Sequence, residues 1–223
     1  MDGARAVTGT KELATRIWLI RHGEPVEEAR QRCYGSLDAG LSETGRRQMV
    51  GVAEYLAAES LVKENPAKQP LSAIYASPLS RTRESAGILA AALQSPLEIS
   101  AGLREINFGD FEGLTYDEIA ARHPDLYRLW MERPTQIRFP NGESFSEMRV
   151  RVLETFDEIR QNHAGQTIAM VSHGGVNRIV LAWALQMPDE CLFRLAQDHA
   201  AVNLLEFIEG VPIVKMLNHS KAA

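Results

Sequence analysis

Three short segments concentrate the side chains that could do chemistry: RHGE at residues 21–24, SPLSRTRES at 77–85 and SHGG at 172–175. The guanidinium fork of Arg21 or Arg81 suits bidentate binding of a phosphate or carboxylate. Glycine-rich turns at helix starts present backbone N–H groups to the same kind of anion. His22 and His173 add two imidazoles to the same anion-suited set. Each piece alone has an ordinary reading. An Arg-His-Gly triplet occurs in plain loops, Arg81 and Arg83 could form a solvated helix start, and SHGG could be a tight turn. Their common context carries more weight: each sits where an apolar run ends.

Those runs are IWLI at 17–20, AIYAS at 73–77 and TIAMVS at 167–172, all short, apolar and strand-like. Helical patterns alternate with them. Ser42 caps a helix to about residue 58 with Met49, Val52, Ala53 and Leu56 on one face, and further helices are expected over 79–93 and 175–185. Thr115 with Glu118, and Ser144 with Glu147, have capping-box spacing and start two more, the second reaching about residue 162. LEI at 97–99 reads as a third strand, and AVNLLEF and VPIVKML as a closing hairpin through Glu209 and Gly210. This alternation predicts a three-layer α/β/α fold with a mostly parallel central sheet. In such sheets ligands bind beyond the carboxyl ends of the strands, so the three loops can share one pocket. The chain divides into a flexible extension over residues 1–15 and one domain over 16–220. Residues 59–70 read as a loop, and about 102–141 as an inserted lid region of turns and short helices.

Composition bounds the partners. With 24 basic and 29 acidic residues the formal charge is −5, and 45% hydrophobic residues allow a sizeable core. An acidic surface argues against nucleic acid and anionic membranes, which call for clustered positive charge. Yet the basic set is 19 Arg and 5 Lys, a bias toward local anion binding. No apolar run reaches the roughly 18 residues of a membrane span. Cys33 and Cys191 are too few and too far apart for a disulfide framework, and neither HExxH nor a CxxC pair is present, so a reduced cytoplasmic chain with no metal and no cofactor is expected. Oligomeric state is not readable and leaves a homodimer open.

Taken together, LIRHGE, GSLDAGLSETGRRQ, YASPLSRTRESA, LREINFGDFEGLTYDEI, NGESF and VSHGGVNR resemble the histidine phosphatase, or phosphoglycerate mutase-like, superfamily from about Ile17 to Leu217. The resemblance implies a phosphohistidine mechanism on a small-molecule phosphate ester, without metal. By position in its motifs, His22 is the implied nucleophile, and Arg21, Arg81 and His173 surround the phosphoryl group. Glu105 is the implied acid that protonates the leaving oxygen. The backbone N–H of Gly174, which follows His173, is a further candidate donor, and Arg32 and Tyr34 stand where the first loop could meet substrate.

Other carboxylates compete with Glu105. Glu24 is read as holding its loop, Glu143 as positioning a turn, and Asp110 and Glu112 lie in or near the lid. His123, His163 and His219 are read as surface or structural residues, whereas His199 could approach the pocket from the loop before the last strands. Mutases of this superfamily carry Ser or Thr, then Asn three residues on, where this chain has Pro25 and Glu28. Two neutral donors are thus lost and a carboxylate gained, which disfavours a second phosphoryl group unless Glu28 points outward and so favours a phosphatase over a phosphoglycerate mutase. The lid, NGESF and the tail MPDECLFRLAQDHAAVNLLEF most resemble alpha-ribazole phosphatase-like members. Fructose-2,6-bisphosphatase-like enzymes share much of this, and an inactive phosphate-binding regulatory protein on the same fold is the reading of another class.

Overall fold

The computed structural model describes residues 14–29, 31–61 and 70–220. Residues 1–13 of the expected extension, and most of the expected loop at 59–70, lie outside the described residues. Six strands form one sheet: β1 (Thr15–Arg21), β2 (Leu71–Ala76), β3 (Leu97–Ile99), β4 (Thr167–Ser172), β5 (Val202–Ile208) and β6 (Val211–His219), in the order β3-β2-β4-β1-β5-β6. Parallel pairing joins β3, β2, β4 and β1, while β5 runs antiparallel to β1 and to β6. The β5–β6 turn uses Glu209 and Gly210 with φ of 51° and 79°, the backbone that a two-residue hairpin turn of matching twist requires.

Strand side chains alternate with period two, and this creates the layers. Ile17, Leu19, Ala73, Tyr75, Ile168 and Met170 face one core, shared with α5 (Phe145–Asn162) and α6 (Gly174–Ala184). Trp18, Ile20, Ile74, Ala76, Ala169 and Val171 face the other, covered by α1 (Glu43–Leu61) and α2 (Ser80–Leu93). The fold is therefore the three-layer α/β/α expected, with boundaries moved by a few residues. β1 starts at Thr15, inside the expected extension, because its first residues pair with β5. α1 begins after its cap Ser42, whose Oγ accepts from the Gly45 N–H at 3.0 Å, and runs to Leu61, past the expected end. β2 covers Leu71–Ala76, and α6 begins one residue early, at Gly174.

Between β3 and α5 the chain leaves the sheet and builds a third small core from Phe111, Ile119, Trp130, Ile137 and Phe139, with Cys33 from the first loop. The segment holds α3 (Tyr116–Arg122), started by the expected Thr115–Glu118 capping box, and α4 (Pro124–Glu132), which the sequence reading did not single out. Proline at the first position of α4 lacks only a donor that no intrahelical acceptor could have used. Ser144 and Glu147 form the second capping box at the start of α5. No helix of the described residues is long and apolar enough to cross a membrane.

Candidate active site

The ends of β1, β2 and β4 deliver their loops to one cleft of about 140 Å³. Arg21, His22, Arg32, Tyr34, Arg81, Glu105 and His173 line it, with Cys33, Phe108 and Tyr116. His22 and His173 are buried, with ring centroids 5.2 Å apart. His22 Nδ1 lies 2.7 Å from the Gly23 carbonyl, so that nitrogen must carry the proton, and Nε2 keeps its lone pair. Gly23 is needed for a close approach: a Cβ there would collide with the Gly45 carbonyl at the start of α1. Burial, followed by the charges of Arg21 and Arg81, holds the His22 pKa well below the usual imidazole range. Burial and Arg81 do the same to His173. Both rings are accordingly neutral near pH 7.

Ser77 Oγ sits 2.9 Å from His173 Nε2 and accepts the Leu79 N–H at 3.4 Å. The other ring nitrogen of His173 is Nδ1. That nitrogen is buried and has no partner. Arg21 Nε and Arg81 Nε are in the same condition, so three of the four buried side-chain atoms without a partner among the described residues belong to this cleft. A buried donor or acceptor left unpaired costs about 1–3 kcal/mol. Three such atoms around one small space, two of them guanidinium donors, are the mark of a site built for an acceptor-rich anion.

Arg81, in the first turn of α2, is fully buried. Its Nη atoms donate to the carbonyls of Leu37 (2.9 Å), Gly35 (2.6 Å) and Tyr34 (3.3 Å), and its guanidinium lies 5.1 Å from the Tyr34 ring centroid. Desolvation lowers its pKa, countered first by Glu105. A guanidinium stays charged regardless. Arg21 donates to the Gln197 carbonyl and meets His199 Nε2 at 3.1 Å. Beneath it lies a buried amide network that sequence reasoning missed. Gln197 and Asn203 pair reciprocally at 2.9 Å, Asn177 joins at 3.1 Å, and Ser172 bonds Asn177 at 2.6 Å. The polar Asn203 inside the apolar run VNLLEF was the one available signal.

Glu105 enters from the inserted side. Its Oε2 accepts the Gly175 N–H and its Oε1 the Ile106 N–H, both at 3.0 Å. The competing carboxylates are committed elsewhere. Glu24 accepts from Ser42 Oγ at 2.8 Å, Glu143 pairs with Arg151 at 2.8 Å, and Asp110 is held by Asn141. Glu112 accepts the N–H groups of Gly35, Ser36, Leu37 and Phe108 at 2.8–3.1 Å, fixing the same loop whose carbonyls receive Arg81. Cys33 offers no rival nucleophile: burial and then the charge of Glu112 push its thiol up to about 12.

The remaining expectations divide. Tyr34 lines the cleft under Arg81, and Arg32 reaches only its rim, donating to the Gly113 carbonyl at 2.8 Å. Gly174 is buried at the start of α6 with its Cα side against Arg21 and Arg178, and is not among the cleft's lining residues. His199 stands against His22 with centroids 5.7 Å apart, but belongs to a neighbouring groove. That groove, about 560 Å³, is larger than the cleft yet holds neither buried histidine nor Arg81. The sequence left the direction of Glu28 open. Glu28 is exposed on a short 3₁₀ turn at Glu27–Ala29 and does not line the cleft, so its charge does not act against a second phosphoryl group. Pro25 is buried, bridged to Leu41, and also stands outside the lining.

A family model of the histidine phosphatase superfamily (branch 1) matches residues 17–220. The chain belongs to that superfamily. It is 34% identical over 214 residues, 96% of its length, to a bifunctional protein of Mycobacterium tuberculosis, and covers 56% of that relative. The chain thus spans little more than half the length of the curated relatives it matches in this group. Similarity to phosphoserine phosphatase 1 of Hydrogenobacter thermophilus is 29% over 91% of this chain and 92% of the relative. A solved structure described as a putative alpha-ribazole-5′-P phosphatase of Escherichia coli superposes with a TM-score of 0.81 over 94% of this chain and 98% of the other. At 23% identity that likeness concerns the fold alone.

Proposed function

We propose that this chain is a phosphomonoester hydrolase that works through a phosphohistidine at His22 on a small phosphorylated metabolite. The observation that carries this reading is the pair of buried, unpartnered donors on Arg21 and Arg81, with the unpartnered Nδ1 of His173, beside a neutral His22 whose Nε2 is free to attack. In the first step the Nε2 lone pair forms a bond to phosphorus while the ester P–O bond breaks, and Glu105 gives its proton to the departing oxygen. In the second, Glu105 takes a proton from water, the water oxygen bonds phosphorus, and the P–N bond breaks to restore neutral His22.

Phosphate-monoester hydrolysis is so slow that enzymes accelerate it by up to roughly 10²¹-fold. One preorganised donor is worth about 3–4 kcal/mol, so several must act together with positioning worth about 7–11 kcal/mol. The cleft supplies that combination, which a phosphate-binding regulator would not require. At the finer level we put forward alpha-ribazole 5′-phosphate as substrate on the segment likeness noted above, with phosphoserine as its rival. We place the enzyme in the cytoplasm, where its free thiols at Cys33 and Cys191 would persist. Release of p-nitrophenol from p-nitrophenyl phosphate by wild type, with a loss of about 10⁴-fold or more in His22→Ala, is the expected result. Equal release by both proteins would overturn the reading, and phosphoglycerate interconversion exceeding hydrolysis would make the enzyme a mutase.

A further inference from the structure

Beyond Glu105 the cleft opens toward two cavities of opposite character. One, about 330 Å³, is polar: Arg104, Asn107, Arg138, Glu143, Glu147 and Arg151 line it, with Ser36 and Gly142. The other, about 200 Å³, is apolar and ringed by Phe108, Tyr116, Trp130, Phe139, Met148 and Phe193, with Arg178 at its edge. The polar cavity shares only Glu105 with the phosphate cleft, whereas the apolar one shares Glu105, Phe108 and Tyr116. The apolar cavity is therefore the broader continuation of the space in which the leaving oxygen must lie.

Its wall begins at the acid itself. A Cβ on Gly175 would collide with the Glu105 carboxylate and come within 3.2 Å of Met148 Cε, so carboxylate and thioether meet over one glycine. The rings are mutually braced: Tyr116 stacks on Trp130 at 5.5 Å and 24°, and Phe108 meets Phe139 edge-on at 4.9 Å and 87°. At the far side Phe193, 57% exposed, lies under the Arg178 guanidinium at 5.6 Å, and Arg178 Nε is tied to the Leu195 carbonyl at 2.8 Å. The only carboxylate in this lining is Glu105, which already accepts two backbone N–H groups and is needed for the proton. An ammonium placed here would be stripped of water with no anion of its own, a costly arrangement. A flat uncharged ring would instead meet aromatic faces and edges. For scale, a cavity of about 150 Å³ lined by aliphatic and aromatic side chains binds benzene.

We propose that the substrate's leaving group is an uncharged, ring-bearing alcohol seated in this cavity, with Phe193 and Tyr116 at its mouth. This rests on the hydrolase reading and narrows its substrate class away from zwitterionic esters such as phosphoserine.

The test compares kcat/KM for 2-phenylethyl phosphate, ethyl phosphate and O-phosphoserine, the first two being esters of alcohols of similar acidity, so that ring recognition and not leaving-group reactivity is read. The phenylethyl ester should lead both others by at least about tenfold, the scale set by modest apolar pocket contacts. Phe193→Ser should shrink that lead, and Arg104→Ser, on the polar side, should leave the ratio unchanged. Equal values for the three esters, or a lead for phosphoserine, would overturn the pocket proposal while leaving hydrolysis intact. A preference that vanishes in Arg104→Ser and not in Phe193→Ser would move the leaving group to the polar cavity. If no ester is hydrolysed, the parent reading fails and this proposal falls with it.

Discussion

The strand-end cleft and the segment inserted between β3 and α5 are built on different terms. The cleft is made of short loops pinned to β1, β2 and β4, with two buried neutral imidazoles and the guanidiniums of Arg21 and Arg81, and Arg32 at the rim, around a space of about 140 Å³. The inserted segment meets the sheet at its start, where the Ser100 N–H donates to the Ala76 carbonyl at the end of β2 at 2.8 Å. It holds itself together with aromatic contacts around Trp130 and Phe139 and presents an apolar cavity beside the acid. The contrast suggests a division of labour: the sheet positions phosphorus chemistry, and the insertion chooses what the phosphoryl group leaves.

Glu105 lies on the seam, and among changes that probe this contrast its removal should have the largest effect. In Glu105→Gln, hydrolysis of alkyl esters should fall by about 10²–10⁴-fold, the usual worth of acid–base catalysis. The loss should be much smaller with p-nitrophenyl phosphate, whose leaving oxygen needs little protonation. Equal losses with both substrates in steady-state assays would remove Glu105 from the proton-transfer role and leave it a structural residue of the insertion.

Glu112 challenges the division directly, because it belongs to the insertion yet organises the loop that receives Arg81. Glu112→Ala would leave the N–H groups of Gly35, Ser36 and Leu37 without their carboxylate and let those carbonyls drift from Arg81. A misplacement of this kind is worth about 10²-fold in rate, so kcat should fall on every ester alike, with the preference between esters kept. A change in that preference, with total activity preserved, would show that Glu112 serves the leaving-group side.

The smallest effect is on stability, and it sharpens what burial does in the cleft. His22 and His173 have folded-state pKa values held below the unfolded value of about 6.5, so below that pH the unfolded chain takes up protons that the folded chain refuses. Stability should be unaffected by these rings at about pH 7 and decline as pH falls below about 6.5, by up to about 1.4 kcal/mol per pH unit for each ring. Urea unfolding should show half that His-linked slope in His173→Gln. An unchanged slope in the variant would place the protonation elsewhere.

Much of this was legible in the sequence because it is local. Short continuous apolar runs marked β1, β2 and β4, and each reactive motif followed one of them directly, so Arg21, His22, Arg81 and His173 could be brought together on topology alone. Glu105 was legible only through its family motif, since no spacing rule ties it to His22. What escaped is long-range. The bonds from Glu112 to the 35–37 loop span 75–77 positions, and the amides of Asn177, Gln197 and Asn203 come from separate elements. The apolar cavity draws its rings from the loop before α3, from α3, α4 and α5 with the loops between them, and from the 3₁₀ segment Asp189–Arg194 after α6, with no periodicity in common. Glu28 shows the limit of nearness in sequence: its distance from His22 along the chain could not say whether its charge faced the pocket, and a single 3₁₀ turn carries it to solvent.

The phosphohistidine is the claim on which the rest depends, and it can be trapped. Wild-type protein turning over p-nitrophenyl phosphate should be quenched in alkali, where a phosphorus–nitrogen bond survives, and its peptides read by mass spectrometry. One phosphoryl group on the peptide containing His22, absent from His22→Ala, is the predicted result. Continued turnover with that peptide unmodified, or with the phosphoryl group on another residue, would contradict the account.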